Sequence, residues 1–366
     1  MNIEWTKVKR VLVVRLRSIG DTVLSTSSLI ALKQFLPDAE IDILLEDWVA
    51  PVLKDFDAVD NVLEFKKDDL KSRLNTARRI RQNKYDIAFN LHGGTTGTFF
   101  VRASGAKHRV GFADYQYNFL YNHLLTSASD FWNKEFTHSA EQQLALLGFV
   151  GVPVEDKPKS RLTVSESARS SVENKLAQSE SFDSKSKIAL LHPAAAFESK
   201  QWATENFARI AEFFHENNFQ TIAVATKNES EVLKNLRLNS HAPIITFDNL
   251  TLPEITALSA KAAIFVGNDS GIAHIAAAVN TPAVVIFGSS NINHWRPWTN
   301  APNEIVYEKM SCQPCAGYKC SQFDAAECIR RISVETVIKA INRLLNNPQI
   351  SKRDLLKPQA RRPDAR

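Results

Sequence analysis

Apolar and polar positions along this chain alternate between two textures. Short apolar runs end abruptly in polar turns, and longer stretches repeat apolar residues at helical spacing. Residues 11–16 (VLVVRL) form the first run, closed by Arg17-Ser18-Ile19-Gly20-Asp21. From 22 to 35, Leu24, Ser28, Ala31, Leu32 and Phe35 share one face, which predicts a helix stopped by Pro37. Residues 41–45 and 62–65 read as strands, and 87–91 as another after a basic helix. Strand, helix and strand in repetition predict a parallel sheet covered by helices on both faces.

Between about 152 and 187 the pattern breaks into Pro153, Pro158 and the polar run QSESFDSKSK. It then restarts. Residues 188–192, 221–225, 262–267 and 283–288 read as strands, with helices over 206–216 and 271–279. The chain thus reads as two doubly wound α/β halves, 1–165 and 187–333, joined by a linker at 166–186. A terminal helix and basic tail follow over 334–366. With 366 residues and 44% hydrophobic content, each half can hold its own core.

Charge narrows the field of partners. The net charge of +5 is too small to imply nucleic acid. It suits an anionic small molecule or a membrane surface. The basic excess gathers at Lys71, Arg73, Arg78, Arg79, Arg81 and Lys84, and again at Lys352, Arg353, Lys357, Arg361, Arg362 and Arg366. Both stretches also fit a solvated helix face and a tail. No apolar run reaches the roughly 18 residues that span a bilayer, and no secretory leader is legible, so a cytoplasmic location is expected.

Ligands of doubly wound sheets sit at the carboxyl ends of the strands, and three strand-ending turns carry chemistry. In the first, Gly20 permits a tight turn and Asp21 stands where a helix begins, as an N-cap or as a functional carboxylate. The second, HPAAAFESKQW, brings small residues and Lys200 to a helix start, which suits a phosphate, although an ordinary surface lysine fits too. The third, VGNDSGIAH, offers the amides around Ser270 and Gly271 as an anion site, with Asp269 or Ser270 as cap and His274 one turn in. A histidine on a helix is often structural; the surrounding turn favours a functional one. Neither a dinucleotide fingerprint nor a P-loop is present.

All four cysteines fall in one stretch, Cys312, Cys315, Cys320 and Cys328. A cytoplasmic chain disfavours structural disulfides. The spacing leaves open a structural zinc site, against free thiols.

The three segments RLRSIGDTVLSTSSL, HPAAAFESKQW and FVGNDSGIAHIAAAVNTPAVVIFG, in this order, resemble the heptosyltransferases of glycosyltransferase family 9. The resemblance implies a GT-B fold, in which two Rossmann-like domains face each other across a cleft. It implies that 1–165 binds a lipopolysaccharide core acceptor and 187–333 an ADP-heptose donor. Asp21 matches the family's general base and Lys200 its phosphate-binding lysine. Asp269, Ser270, Gly271 and His274 match the donor signature, and Glu229 the acidic residue at the nucleoside. Where the family commonly has hydroxyl residues, this chain has Ala195 and Ala196.

The chemistry expected is attack of an acceptor hydroxyl on an anomeric carbon, with inversion. Asp21 would take the proton, while Lys200 and the helix start at Ser270 and Gly271 would stabilise the leaving diphosphate. No DxD-type carboxylate pair is placed to hold magnesium, so no cofactor is expected for catalysis. A lipid acceptor also implies peripheral contact with the inner face of an anionic membrane. Two rival readings are a nucleotide-sugar epimerase on the same fold and a non-catalytic binder of sugar nucleotides or glycolipids.

Overall fold

The computed structural model describes residues 3–315 and 319–348. The basic tail at 352–366 lies outside the described residues.

In the first half the elements are β1 Arg10–Leu16, α1 Ile19–Phe35, β2 Glu40–Glu46, β3 Asn61–Phe65, α2 Leu70–Gln82, β4 Ile87–Asn90, α3 Gly94–Ser104, β5 His108–Phe112 and β6 His123–Leu125. Two helices close it, α4 Ala128–Trp132 and α5 Ser139–Phe149, and α6 Glu166–Ala177 follows. The second half runs β7 Lys187–His192, α7 Thr204–Glu216, β8 Phe219–Val224, α8 Ser230–Leu238, β9 Ile244–Phe247 and α9 Leu252–Lys261. It continues with β10 Ile264–Asn268, α10 Gly271–Ala278, β11 Ala283–Phe287, α11 Ile292–Trp295 and β12 Asn303–Tyr307. The short α12 Glu327–Arg330 and α13 Val334–Leu345 complete it.

Both sheets have six parallel strands in the same order. The first is β3-β2-β1-β4-β5-β6 and the second β12-β11-β10-β7-β8-β9. Every pairing is parallel, so each strand connects to the next by a crossover. The central strands are buried on both faces, which is why 11–16 and 188–192 read as continuous apolar runs.

The helices between the sheets explain how the halves meet. α1 is buried nearly all round, from Val23 to Ser28 without a break, so its core-facing stripe is not confined to one side. It packs on α5 and, across the halves, on α10, whose run GIAHIAAA is buried from Ile272 to Ala278. Small side chains let these helices approach closely. One hydrophobic cluster therefore contains residues of both halves, among them Leu29 and Leu144 of the first and Ile275 and Leu258 of the second. The stretch read from the sequence as a polar linker contains α6, which packs against α9. The outer faces have separate cores, around Phe100 in the first half and around Trp202 and Phe207 in the second.

Candidate functional site

In each sheet the strand order reverses beside its first strand, between β1 and β4 and between β7 and β10. Ligands of open parallel sheets bind in the crevice outside such a reversal. The turns singled out in the sequence lie at these two points.

At the first crevice the helix N-cap is Ser18, not Asp21. Asp21 lies inside the first turn of α1. Two donors hold its carboxylate. The buried Arg15, at the end of β1, pairs with it and also donates to the Leu91 carbonyl at 2.7 Å. Ser18 Oγ donates to Asp21 Oδ2 at 2.9 Å. A cavity of about 420 Å³ opens here, lined by Asp21, His92, Asp114, Ser127, Gln142 and, from the second half, His294. His294 Nδ1 lies 3.2 Å from the Thr137 carbonyl, tying that half to this wall. Burial, reinforced by the charges of Arg15 and Arg17, pulls His92 down to about 4. Its imidazole is therefore neutral near pH 7, and among the described residues its Nδ1 has no hydrogen-bond partner. Hydroxyl, amide and carboxylate groups around a roomy cavity suit a sugar.

The second crevice is held by a polar lattice. Asn268 donates to the Pro193 carbonyl at 2.9 Å and accepts from the Trp202 amide at 3.1 Å, which pins the loop after β7 to the end of β10. Lys200 Nζ meets Asp269 Oδ2 at 2.8 Å, and Ser290 Oγ donates to the same oxygen at 2.5 Å. Ser270 is the N-cap of α10, yet its hydroxyl lies 3.1 Å from His192 Nδ1 and makes no cap bond. The first amides of α10 are thus left for an anion, beside a lysine that is one ion pair away from it. Burial draws His192 down to about 4, against the opposing pull of Glu229. Glu229 itself caps its own turn, accepting from the Thr226 amide at 2.9 Å and hydroxyl at 2.7 Å. Ala195 and Ala196 lie in the same loop as Lys200, where they contribute backbone alone.

The two crevices meet through glycine. A Cβ on Gly20 would stand 2.8 Å from His274 Cδ2, and one on Gly271 would stand 2.7 Å from Ile19 Cβ. Only glycine at both positions lets the first turns of α1 and α10 abut. His274 lies between them and is buried. Burial lowers its imidazole, while Asp269 and Asp21 both pull the other way. Its Nδ1 has no hydrogen-bond partner among the described residues.

Of the two readings left open for the cysteines, the structure gives zinc no support. Cys312, Cys315, Cys320 and Cys328 do line one small cavity against Ser199 and Ser289. They are free thiols, and Cys315 Sγ donates to the Cys312 carbonyl at 3.2 Å. Burial raises the thiols of Cys315 and Cys328, and neighbouring cysteines raise them further. Among the described residues no group of three or more His, Cys, Asp or Glu is placed to hold a metal ion, so the zinc site has no support here.

Sequence reading missed Arg15, Ser18, His92, His192, Ser290 and His294. Arg15 had a signal, since a charge inside an otherwise buried strand demands a partner. His294 had none, because it reaches the cavity from the other half.

Comparison with known proteins agrees with this geometry. The family model for glycosyltransferase family 9 (heptosyltransferase) matches residues 73–325. Lipopolysaccharide heptosyltransferase 3 of Escherichia coli is 27% identical over 303 residues, covering 78% of this chain and 85% of that protein. Lipopolysaccharide heptosyltransferase 2 of Escherichia coli K12 is 24% identical, covering 92% and 98%. Among solved structures, a glycosyl transferase family 9 protein from Veillonella parvula superimposes with a TM-score of 0.79 at 19% identity, covering 92% of this chain and 97% of that one. Escherichia coli ADP-heptose LPS heptosyltransferase II gives 0.77 at 20% identity, covering 94% and 99%. The architecture they share with this chain is the GT-B fold. With the family model matching more than half of its length and the fold in agreement, this chain belongs to glycosyltransferase family 9, the heptosyltransferases.

Proposed function

We propose that this protein transfers a heptose from ADP-heptose onto the inner core of lipopolysaccharide, with inversion at the anomeric carbon. The abutment of α1 and α10 through Gly20 and Gly271 carries the reading, because it sets Asp21 beside the turn that carries Asp269 and Ser270. Residues 1–165 bind the acceptor in the polar cavity at Asp21, and residues 187–333 bind the donor at the ends of β7 and β10. Asp21, steadied by Arg15 and Ser18, takes the proton of the acceptor hydroxyl as it attacks. Lys200 exchanges Asp269 for the donor diphosphate, and the amides at Ser270 and Gly271 receive its charge. His274 and Glu229 complete the donor side, at the phosphates and the nucleoside. A single base facing a stabilised leaving group fits direct displacement. The names of the relatives support the donor and acceptor classes.

The acceptor is lipid-linked, and among the described residues no helix is long and apolar enough to cross a membrane. We therefore place the enzyme in the cytoplasm, in peripheral contact with the anionic inner face of the cytoplasmic membrane. The decisive experiment incubates the purified protein with ADP-heptose and truncated core acceptors. Mass spectrometry should find one added heptose, and NMR the anomeric configuration opposite to that of the donor. Sugar interconversion without acceptor, or no turnover with any core acceptor, would overturn the assignment.

A further inference from the structure

The outer side of the first sheet carries a surface that the reaction does not use. α2 contains Lys71, Arg73, Arg78, Arg79 and Arg81 and no acidic residue, and α3 adds Arg102. Among the described residues none of these five arginines is in an ion pair. This contrasts with the many paired charges elsewhere, such as Arg343 with Glu304 and Arg161 with Asp57. Apolar groups are interleaved with them. Leu70 is 67% exposed, Leu74 45%, Phe99 39%, Tyr117 48% and Phe119 75%. Phe99 and Tyr117 share one groove, Tyr117 meets Phe119 edge-on at 6.2 Å, and Leu70 and Leu74 lie on α2, which packs against α3, whereas the other exposed large apolar residues are scattered over the chain. Arg73 stands over the Phe99 ring at 6.0 Å. A shallow groove of about 580 Å³ runs between these elements, with Phe99, Tyr117 and Leu120 in its walls and Arg81 and Arg102 at its edge.

We infer that this face seats the protein on an anionic bilayer by insertion as well as by charge. The inference rests on the membrane contact proposed above and names the surface that makes it. Unpaired guanidinium groups recognise lipid phosphates in bidentate fashion. Exposed aromatic and leucine side chains among them enter the boundary between headgroups and acyl chains, as in interfacial helices. A water-exposed apolar cluster of this kind signals a contact surface, and its basic fringe matches a negative one. Continuity with the acceptor cavity supports the assignment. Asp114 and Tyr115 line that cavity, and Tyr117 and Leu120, a few residues on, line the groove. α2 and α3 begin at the carboxyl ends of β3 and β4, so Leu70 and Arg73 lie toward the end of the sheet that carries Asp21, and both helices run back from it to Arg81 and Arg102. A bilayer seated here presents a lipid-anchored sugar to the cavity without extracting the lipid.

The test uses the full chain and vesicles of neutral phosphatidylcholine, alone or with one third phosphatidylglycerol, free of any acceptor. Wild type should sediment with the anionic vesicles. Phe119→Ser with Leu74→Ser, and separately Arg78→Glu with Arg81→Glu, should each weaken that binding at least tenfold. Turnover of a soluble, delipidated acceptor should stay unchanged. Phe119→Trp should be quenched by brominated lipid beyond the wild-type signal, which reports insertion without removing the contact. Unaltered vesicle binding by both double variants, with loss only on deleting residues 352–366, would overturn this face and leave membrane attachment standing. A wild type that ignores anionic vesicles would overturn both. Double variants that instead convert a lipid-free dimer to monomer in sedimentation would make the face a contact between copies, and the inference would fall.

Discussion

The two halves of the molecule share a strand order and differ in nearly everything attached to it. Helix α2 joins β3 to β4, and α9 occupies the same place between β9 and β10. α9 is covered by α6, and charges at that junction are neutralised, Lys175 with Glu254 at 2.8 Å and Lys261 with Glu173 at 3.8 Å. α2 packs on α3 instead, and its basic side chains make no ion pair among the described residues. The crevices differ likewise. The first offers a carboxylate held by an arginine beside an open cavity, and the second offers a lysine, a helix start and buried histidines. A repeated topology fixes where a site lies. The loops decide which chemistry it serves, and on the proposed reading one half activates the acceptor while the other neutralises the donor.

The sharpest way to break this division is Asp21→Asn. The amide keeps the shape and cannot take a proton, so transfer should fall by about 10²–10⁴-fold while calorimetry finds nucleotide-sugar affinity unchanged. Loss of donor affinity instead would move Asp21 to the donor side.

Trp202→Ala tests whether two cores still make one folding unit. Trp202 is fully buried, donates to the Ile332 carbonyl at 2.8 Å and meets Phe207 edge-on at 5.1 Å. Its truncation should cost about 3–5 kcal/mol. Because α1, α5 and α10 share a core, the loss should appear in thermal melts as one lowered transition. Two separated transitions would mean the halves unfold independently.

Lys200→Ala is the counterpart of the aspartate change. A charge-assisted bond to phosphate contributes about 1.5–3 kcal/mol, so donor affinity should drop on the order of tenfold to a hundredfold. The acceptor's apparent KM should hold. Equal weakening of both substrates would erase the distinction between the crevices.

Acid should touch both halves alike and with the smallest effect. Burial holds His92 and His192 at about 4 and His138 at about 3. An unfolded imidazole takes up its proton near ~6.5, so between there and about 4 the unfolded chain binds more protons than the folded one. Stability is full above this window and falls as pH drops through it. Differential scanning calorimetry from pH 7 to 5 should find Tm lowered by roughly several degrees. A flat profile would mean that these histidines are not buried and neutral.

The apolar runs at β1, β7, β10 and β11 were legible because a parallel strand buried on both faces has no polar face to interrupt it. β5, β6, β9 and β12 lie toward the sheet edges and carry mixed sequences such as HRVGF and NEIVY, so no run announced them. Gly20 was visible as a residue suited to a tight turn, and Lys200 and the turn at Ser270 as features suited to anion chemistry at strand ends. The sequence itself determined the two α/β halves, the turns and the basic helix, since these depend on local period and residue type. Tertiary structure alone decided that Lys200 rests on Asp269 and that Gly20 meets His274. It also brought Phe99 and Tyr117 to one groove. The pairings of Lys200 with Asp269 and of Gly20 with His274 join residues tens to hundreds of positions apart, and local propensity carries no information about which distant groups packing will bring together.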